Sequence, residues 1–398
     1  MNPKPRIFTR DFILVCSAAF AYSAAQSLVV TALPLFLKDL GLAAGFIGGF
    51  VGAVSICALV SRLPIGGAVD RFGSRILAAI GAGLLGCSFV LYAFIPFAPL
   101  RLIASMPLLL PLAGILHGAG IGTYGTATNS FVAYTVPQAR RGEAVGYFGI
   151  LINVAQAIAA GTSLFIVARW GFTILLGVGM LMAVLAAVFA LILHDTPRTT
   201  GTQSWSSYFQ IEKSSVAPSL VNVTLTLAHG VALTFIALLG LERGIENPGV
   251  FFTAIALTSI VARVFTGRTA DTFGRLAVVI PGMFLIMASM MLVANVSSME
   301  TLALAGIIYG VGIASAVPAL QALIIDLAAP ERRGAAMATY SGSIDVGIII
   351  GSIAAGQIAP LIGYGGVFLA ASVSPLVGLG ILLFYARVNR VSLKGTVE

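Results

Sequence analysis

Apolar residues run along this chain in long blocks separated by short polar breaks, without the strict alternation of half-buried strands. A block of about 20 apolar residues is long enough to carry an α-helix across a bilayer. On that measure the pattern predicts twelve helices, at 12–37, 43–66, 75–96, 107–132, 143–168, 172–193, 218–240, 250–268, 276–295, 301–325, 334–359 and 366–387. Uninterrupted blocks favour helices over a membrane barrel, whose strands would alternate apolar and polar residues. The expected class is therefore an all-α polytopic membrane protein.

The polar breaks are not all alike, and one of them recurs. Arg62 to Arg75 reads R-L-P-I-G-G-A-V-D-R-F-G-S-R, and Arg263 to Arg275 reads R-V-F-T-G-R-T-A-D-T-F-G-R. Laying Arg62 on Arg263 also lays Gly66 on Gly267, Asp70 on Asp271, Phe72 on Phe273 and Gly73 on Gly274 without a gap. A second element repeats as well: P-Q-A-R-R-G-E-A from Pro137 matches P-E-R-R-G-A-A from Pro330, with Arg141 on Arg333. Such a duplication predicts two pseudo-symmetric six-helix bundles, the parallel-repeat plan of many secondary transporters. The expected division is a first bundle over 1–193, a linker over 194–217 and a second bundle over 218–398. Within the linker, Trp205, Tyr208, Phe209 and Ile211 are candidates for a short interfacial helix or a loosely ordered connection. The first bundle carries extra residues between its two elements, placed by their Pro-rich character at Ile95 to Pro111.

Composition agrees with lipid as the solvent. The 398 residues are 59% hydrophobic and only 9% charged, with a mean hydropathy of +1.03. The net charge of +8 would suggest nucleic acid in a soluble protein, but here the charges fall at helix ends. Placing the odd-numbered connections outside leaves Lys38, Arg101, Arg169 and Arg243 there, against 18 of the 22 Lys and Arg on the other side. By the positive-inside rule both termini are expected in the cytoplasm of a plasma or inner membrane protein. The first apolar block, about 26 residues from Phe12 to Leu37, is too long for the core of a secretory signal. Cys16, Cys57 and Cys87 all lie in apolar blocks, as packing residues rather than a disulfide or metal framework.

The repeated motif, the R-R-G elements and the stretch E-N-P-G-V-F-F-T-A-I-A-L-T-S-I-V-A-R resemble the major facilitator superfamily over nearly the whole chain. Among its members the chain is most similar to bacterial efflux permeases of the drug:proton antiporter kind. The resemblance implies a gating role for Gly66, Asp70, Arg71, Gly73 and Arg75, for Asp271, Gly274 and Arg275 in the second copy, and for Arg141 and Arg333. It also implies that Asp70 meets the helix N-terminus near Gly334, and Asp271 the one near Gly142. The motif has a physical reason of its own. A carboxylate at a helix C-terminus sits at the wrong pole of its own macrodipole and needs a positive partner. The alternative for these residues is that of loop charges that fix topology.

Two departures bear on mechanism. Where such antiporters carry an arginine in the fourth span, this chain has Gly114 of G-I-L-H-G-A-G, and where many carry an acid in the first span it has Gln26. The polar residues expected within the spans are then Asp345, His117, His229, Asn129, Asn153 and Gln156. Asp345 lies 12 residues past Arg333, about 18 Å along a helix and near the midplane. A lone carboxylate there costs several kcal/mol or takes up a proton. It is the leading candidate for proton coupling, against a neutral Asp bonded to a neighbouring helix. Asn153 holds the equivalent place in the first half, and His117, His229 and Gln26 are lesser candidates. For the two histidines, structural hydrogen bonding competes with a cavity role.

The chain shows no metal-ligand spacing, nucleophile elbow or phosphate-binding loop, so neither catalysis nor a cofactor is expected. The leading reading is a secondary transporter, a proton-coupled exporter of a hydrophobic or amphiphilic small molecule. Its partners would be substrate, protons and the bilayer, with no nucleic acid, and it would act as a monomer. The alternatives are a permease for a lipid-linked molecule or polar metabolite and, last, a membrane-embedded enzyme or sensor.

Overall fold

The computed structural model describes residues 7–95, 106–136, 140–194, 213–329 and 332–388. Every regular element among them is a helix. In chain order these are α1 (Arg10–Asp39), α2 (Ala44–Phe72), α3 (Ser74–Phe94), α4 (Met106–Thr135), α5 (Arg141–Ile192), α6 (Lys213–Glu242), α7 (Val250–Phe273), α8 (Leu276–Ala294), α9 (Met299–Leu327), α10 (Arg333–Ala371) and α11 (Ser374–Val388). Most of the linker, 195–212, and the core of the Pro-rich stretch, 96–105, fall outside the described residues, and with them the candidate interfacial helix.

Among the described residues, nine helical stretches are long and apolar enough to cross a bilayer, and Val250–Arg263 is a shorter apolar one. Two of the nine, Ala144–Ile192 and Thr339–Tyr385, have 49 and 47 residues, over twice the length a hydrocarbon core of about 30 Å accommodates. Each is broken by one glycine: Gly171 at φ 79°, ψ 174° and Gly363 at φ 70°, ψ 168°. A side chain at such angles would clash with its own backbone, so only glycine turns the chain there cheaply. With these two stretches counted as two passes each and α7 added, the described residues make twelve crossings, the number that the hydropathy predicts.

The duplication reappears in the backbone. Among the described residues the positive-φ glycines fall into pairs, Gly41 with Gly244, Gly73 with Gly274 and Gly171 with Gly363. Gly73 and Gly274 are the repeated motif glycine, each the lone residue or nearly so between two helices.

The chain divides into two compact units. Unit 1 is Met1–Ala32 with Ile56–Tyr208, and unit 2 is Leu33–Ser55 with Phe209–Glu398. In unit 1, α3 packs on α4 and α5. At the α3–α4 crossing Gly81 faces the backbone of Tyr124, and Gly120 faces Gly81 and Leu85. One end of unit 1 is closed by a buried cluster including Phe12, Val15, Phe131, Val136, Phe148 and Leu193. Asp11 and His194 meet at 3.1 Å beside it.

In unit 2, α6 packs on α10 and α11, and α9 on α7 and α8. The α8–α9 crossing copies that of unit 1: Gly282 faces Gly312 and Ala316, and Gly312 faces Gly282 and Ile286. Small residues let helix backbones approach where lipid gives no hydrophobic drive for association. The α6–α10 contact is of the same kind, with Gly347 and Gly351 on Val223, Thr226 and Leu227, and Gly230 on Ile348. Leu33–Ser55 joins unit 2 through another glycine face, Gly45, Gly48 and Gly52, laid against Ser352, Ile353, Gly356 and Gln357 of α10.

Candidate functional site

The repeated motif is helix rather than loop. The sequence reading ended the second span at 66 and the eighth at 268, whereas α2 runs on to Phe72 and α7 to Phe273. Gly66, Asp70 and Arg71 therefore lie in the last turns of α2, and Gly73 alone separates α2 from α3. The helix persists through the motif although Pro64, Gly66 and Gly67 lie within it, and it ends only at Gly73. Arg71 is exposed, its guanidinium 5.2 Å from the Phe72 ring centre, and Arg75 is exposed in the first turn of α3. Arg275 pairs with Asp326 of α9 at 3.4 Å on the surface of unit 2. The side chains of Asp70, Asp271, Arg141 and Arg333 lie outside the described ones.

Helix extension places two arginines well inside their helices. Arg62 now sits ten residues before the end of α2, and Arg263 ten before the end of α7, about 15 Å inside each helix. Arg62 is half-buried and Arg263 exposed. The sequence reading put Arg62 inside the second span, four residues before its end at 66; the signal for the longer helix was the continuous helix-compatible run from Ala44 to Val69.

The candidate coupling residues occupy different settings. Asp345 is 6% exposed on α10, whose neighbouring faces are taken by α6 and by Leu33–Ser55. His229 of α6 has the Tyr309 hydroxyl 3.4 Å from its Nδ1, with the two rings stacked. His117 of α4 is wholly buried in unit 1, with Tyr92 OH 3.3 Å from its Nδ1 and the rings of Phe89 and Tyr92 edge-on to it. Each histidine is thus held by a tyrosine. Gln26 and Asn153 are half-buried, and Asn129 and Gln156 are exposed. The structure puts Asp345 and His229 on the packed pair α6 and α10, and His117, Asn153 and the Gln26 side of α1 in unit 1. The register that lays Gly41 on Gly244 lays Gln26 on His229, and the one that lays Gly120 on Gly312 lays His117 on Tyr309.

A polar seam between α6 and α10 was also missed. Asn222 donates to Ser343 Oγ at 2.9 Å, and Thr226 donates to the Asn222 carbonyl at 2.9 Å. Higher on the same pair, Thr234 and Ser352 hydroxyls lie 3.0 Å apart. Ser215, Ser219, Asn222 and Thr226 recur at spacings of four, three and four, one face of a helix; that period was the readable signal. Among the described residues no cluster of His, Cys, Asp and Glu could hold a metal ion.

Comparison with known proteins adds the following. The profile of the Major Facilitator Superfamily matches residues 15–251 and 212–397. An uncharacterized MFS-type transporter of Burkholderia mallei is 30% identical over 99% of this chain and 97% of its own. One from Methanocaldococcus jannaschii is 21% identical over 96% and 99%. Among solved structures, the nucleoside transporter NupG superposes with a TM-score of 0.76 at 14% identity, covering 95% of this chain and 99% of that one. The human organic anion transporter MFSD10 gives 0.67 at 16%, covering 95% and 100%. At these identities the two structures speak for the fold.

Proposed function

The chain belongs to the Major Facilitator Superfamily, and from that premise we propose that this secondary transporter is a proton-coupled exporter of hydrophobic or amphiphilic small molecules. It works by alternating access, as a monomer in a plasma or inner membrane with both termini cytoplasmic. The observation that carries this reading is Asp345, a carboxylate 6% exposed and 12 residues past Arg333 at the start of α10. Ionisable groups at such depth are costly, and they mark ion pathways in pumps and transporters. Asp345 takes a proton from one side and gives it up to the other as its exposure alternates.

Substrate polarity follows from what the spans lack. A carrier of sugars or nucleosides needs several polar side chains along its cavity, whereas the spans here are overwhelmingly apolar. No nucleophile and base pair can be assembled from their mid-helix residues, so transport rather than catalysis is the reading. Asp70 and Asp271, each near the C-terminal end of a helix, serve the gating motif, where charge and helix dipole oppose.

The test is reconstitution in proteoliposomes with an imposed pH gradient, inside acidic. Apolar and amphiphilic compounds that are substrates dissipate the gradient as they move, and only with the protein present. A protein that moves such compounds at equal rates with and without the gradient is a uniporter, and the proton reading falls.

A further inference from the structure

Tyr22 of α1 and Tyr124 of α4 stack face to face in the interior of unit 1, their ring centres 3.7 Å apart and their planes 2° from parallel. Each residue is 3% exposed, and among the described residues neither hydroxyl has a hydrogen-bond partner. Buried hydroxyls without partners are rare in native proteins, because each forfeits its hydration for nothing. Arg62 follows Ser61, whose hydroxyl lies against Gly122, two residues before Tyr124.

The pair is held in place by backbone packing. Gly81 of α3 lies against the main chain of Tyr124, and Gly122, one turn-half before it, lies against Ala58 and Ser61 next to Arg62. The fold itself does not ask for tyrosines here. In the internal repeat Tyr124 corresponds to Ala316, which meets Gly282 as Tyr124 meets Gly81, and Tyr22 corresponds to Leu225. Ala316 and Leu225 are both wholly buried. Unit 2 thus builds the same crossing from apolar residues while keeping the arginine, as Arg263. Two phenols have been added to a position that packs well without them.

We propose that Tyr22, Tyr124 and Arg62 form a subsite for an organic anion, which rests on the transporter reading above and narrows its substrate to an amphiphile with a carboxylate or sulfonate head. Two phenol hydroxyls donate and a guanidinium supplies charge, the set that recognises an oxyanion. The sequence places no acid in the first half between Asp11 and Asp39, between Asp70 and Glu143, or between Glu143 and Asp195. At the depth of the tyrosines this half therefore offers positive charge and hydroxyl donors, and repels no anion.

The experiment uses two permanently charged probes of matched shape, naphthalene-2-sulfonate and N-methylquinolinium, with the full chain in proteoliposomes. Wild-type protein is expected to move the sulfonate at least about tenfold more efficiently than the cation. Tyr22→Phe and Tyr124→Phe keep the rings, and each is expected to raise KM for the sulfonate by about tenfold with kcat little changed, the loss of one hydrogen bond to a charged acceptor. Arg62→Gln is expected to abolish the preference for the anion, and Arg62→Lys to retain it. Thermal unfolding of each variant checks that it folds. Sulfonate transport unaltered in both phenylalanine variants overturns the subsite, as does a wild-type preference for the cation. If the cation alone moves, the subsite fails and the transporter reading stands. If neither probe moves and no compound dissipates a pH gradient, both fail.

Discussion

The backbone of Tyr124 comes so close to Gly81 that a β-carbon on the glycine would lie 2.6 Å from the Tyr124 nitrogen. That atom belongs to a helix and cannot swing aside. Gly81→Ala is therefore expected to destabilise unit 1 by about 1–3 kcal/mol, the usual cost of overpacking. Gly282→Ala, with the Gly312 carbonyl at 2.8 Å, should behave alike in unit 2. Thermal unfolding in detergent measures both, and an unchanged midpoint would mean that the crossings have slack.

Asp345→Asn preserves shape and most hydrogen bonding but removes the exchangeable proton. The variant is expected to bind substrate and to exchange substrate for substrate, while losing accumulation driven by a pH gradient. Flux in proteoliposomes with and without the gradient separates these activities. Uphill transport with wild-type pH dependence would assign Asp345 a structural part and move attention to His229 on the neighbouring helix.

Tyr92 and His117 give a sharper distinction between structure and titration. Tyr92→Phe removes the hydroxyl 3.3 Å from His117 Nδ1 and leaves the buried ring nitrogen without that partner, at a cost of about 1–3 kcal/mol. The expectation is lower thermal stability with the pH profile of transport unmoved. A displaced profile would show that His117 titrates in the cycle.

Gly171 and Gly363 test the turns. At φ 79°, ψ 174° and φ 70°, ψ 168° an alanine is strained by about 1–3 kcal/mol, although open space surrounds both positions. Gly171→Ala and Gly363→Ala should therefore lower stability through the backbone alone, and a double variant should lose the sum. Calorimetric or fluorescence unfolding of the three variants provides the comparison.

Much of this architecture could be read from apolar block lengths and from the repeat. The match of Gly73 to Gly274 and of Arg141 to Arg333 gave registers that the backbone follows, down to positive-φ glycines at equivalent places. Helix ends were less legible where a polar motif rides on a helix. Asp70 and Arg71 look like a loop in composition, yet intrahelical hydrogen bonds are indifferent to that, and α2 continues to Phe72. Arg62 was consequently placed four residues from the end of its helix when it lies ten from it. Nor could sequence show that Gly45, Gly48 and Gly52 lie on α10, since a contact between residues 300 apart leaves no local period. Tyr22 and Tyr124 escaped notice for the same reason: each alone is an ordinary aromatic in an apolar run.

The one-residue turns at Gly171 and Gly363 have a consequence for biosynthesis. Where two spans are joined by a single residue, no hydrophilic segment has to be threaded across the bilayer between them. The fifth and sixth passes, and likewise the eleventh and twelfth, are suited to leave the insertion machinery as closed helical hairpins, with the backbone groups of both arms satisfied internally. Such tips also give proteases and glycan-attaching enzymes no length of exposed chain to grasp, so an epitope or reporter intended for that side of the membrane belongs in another connection.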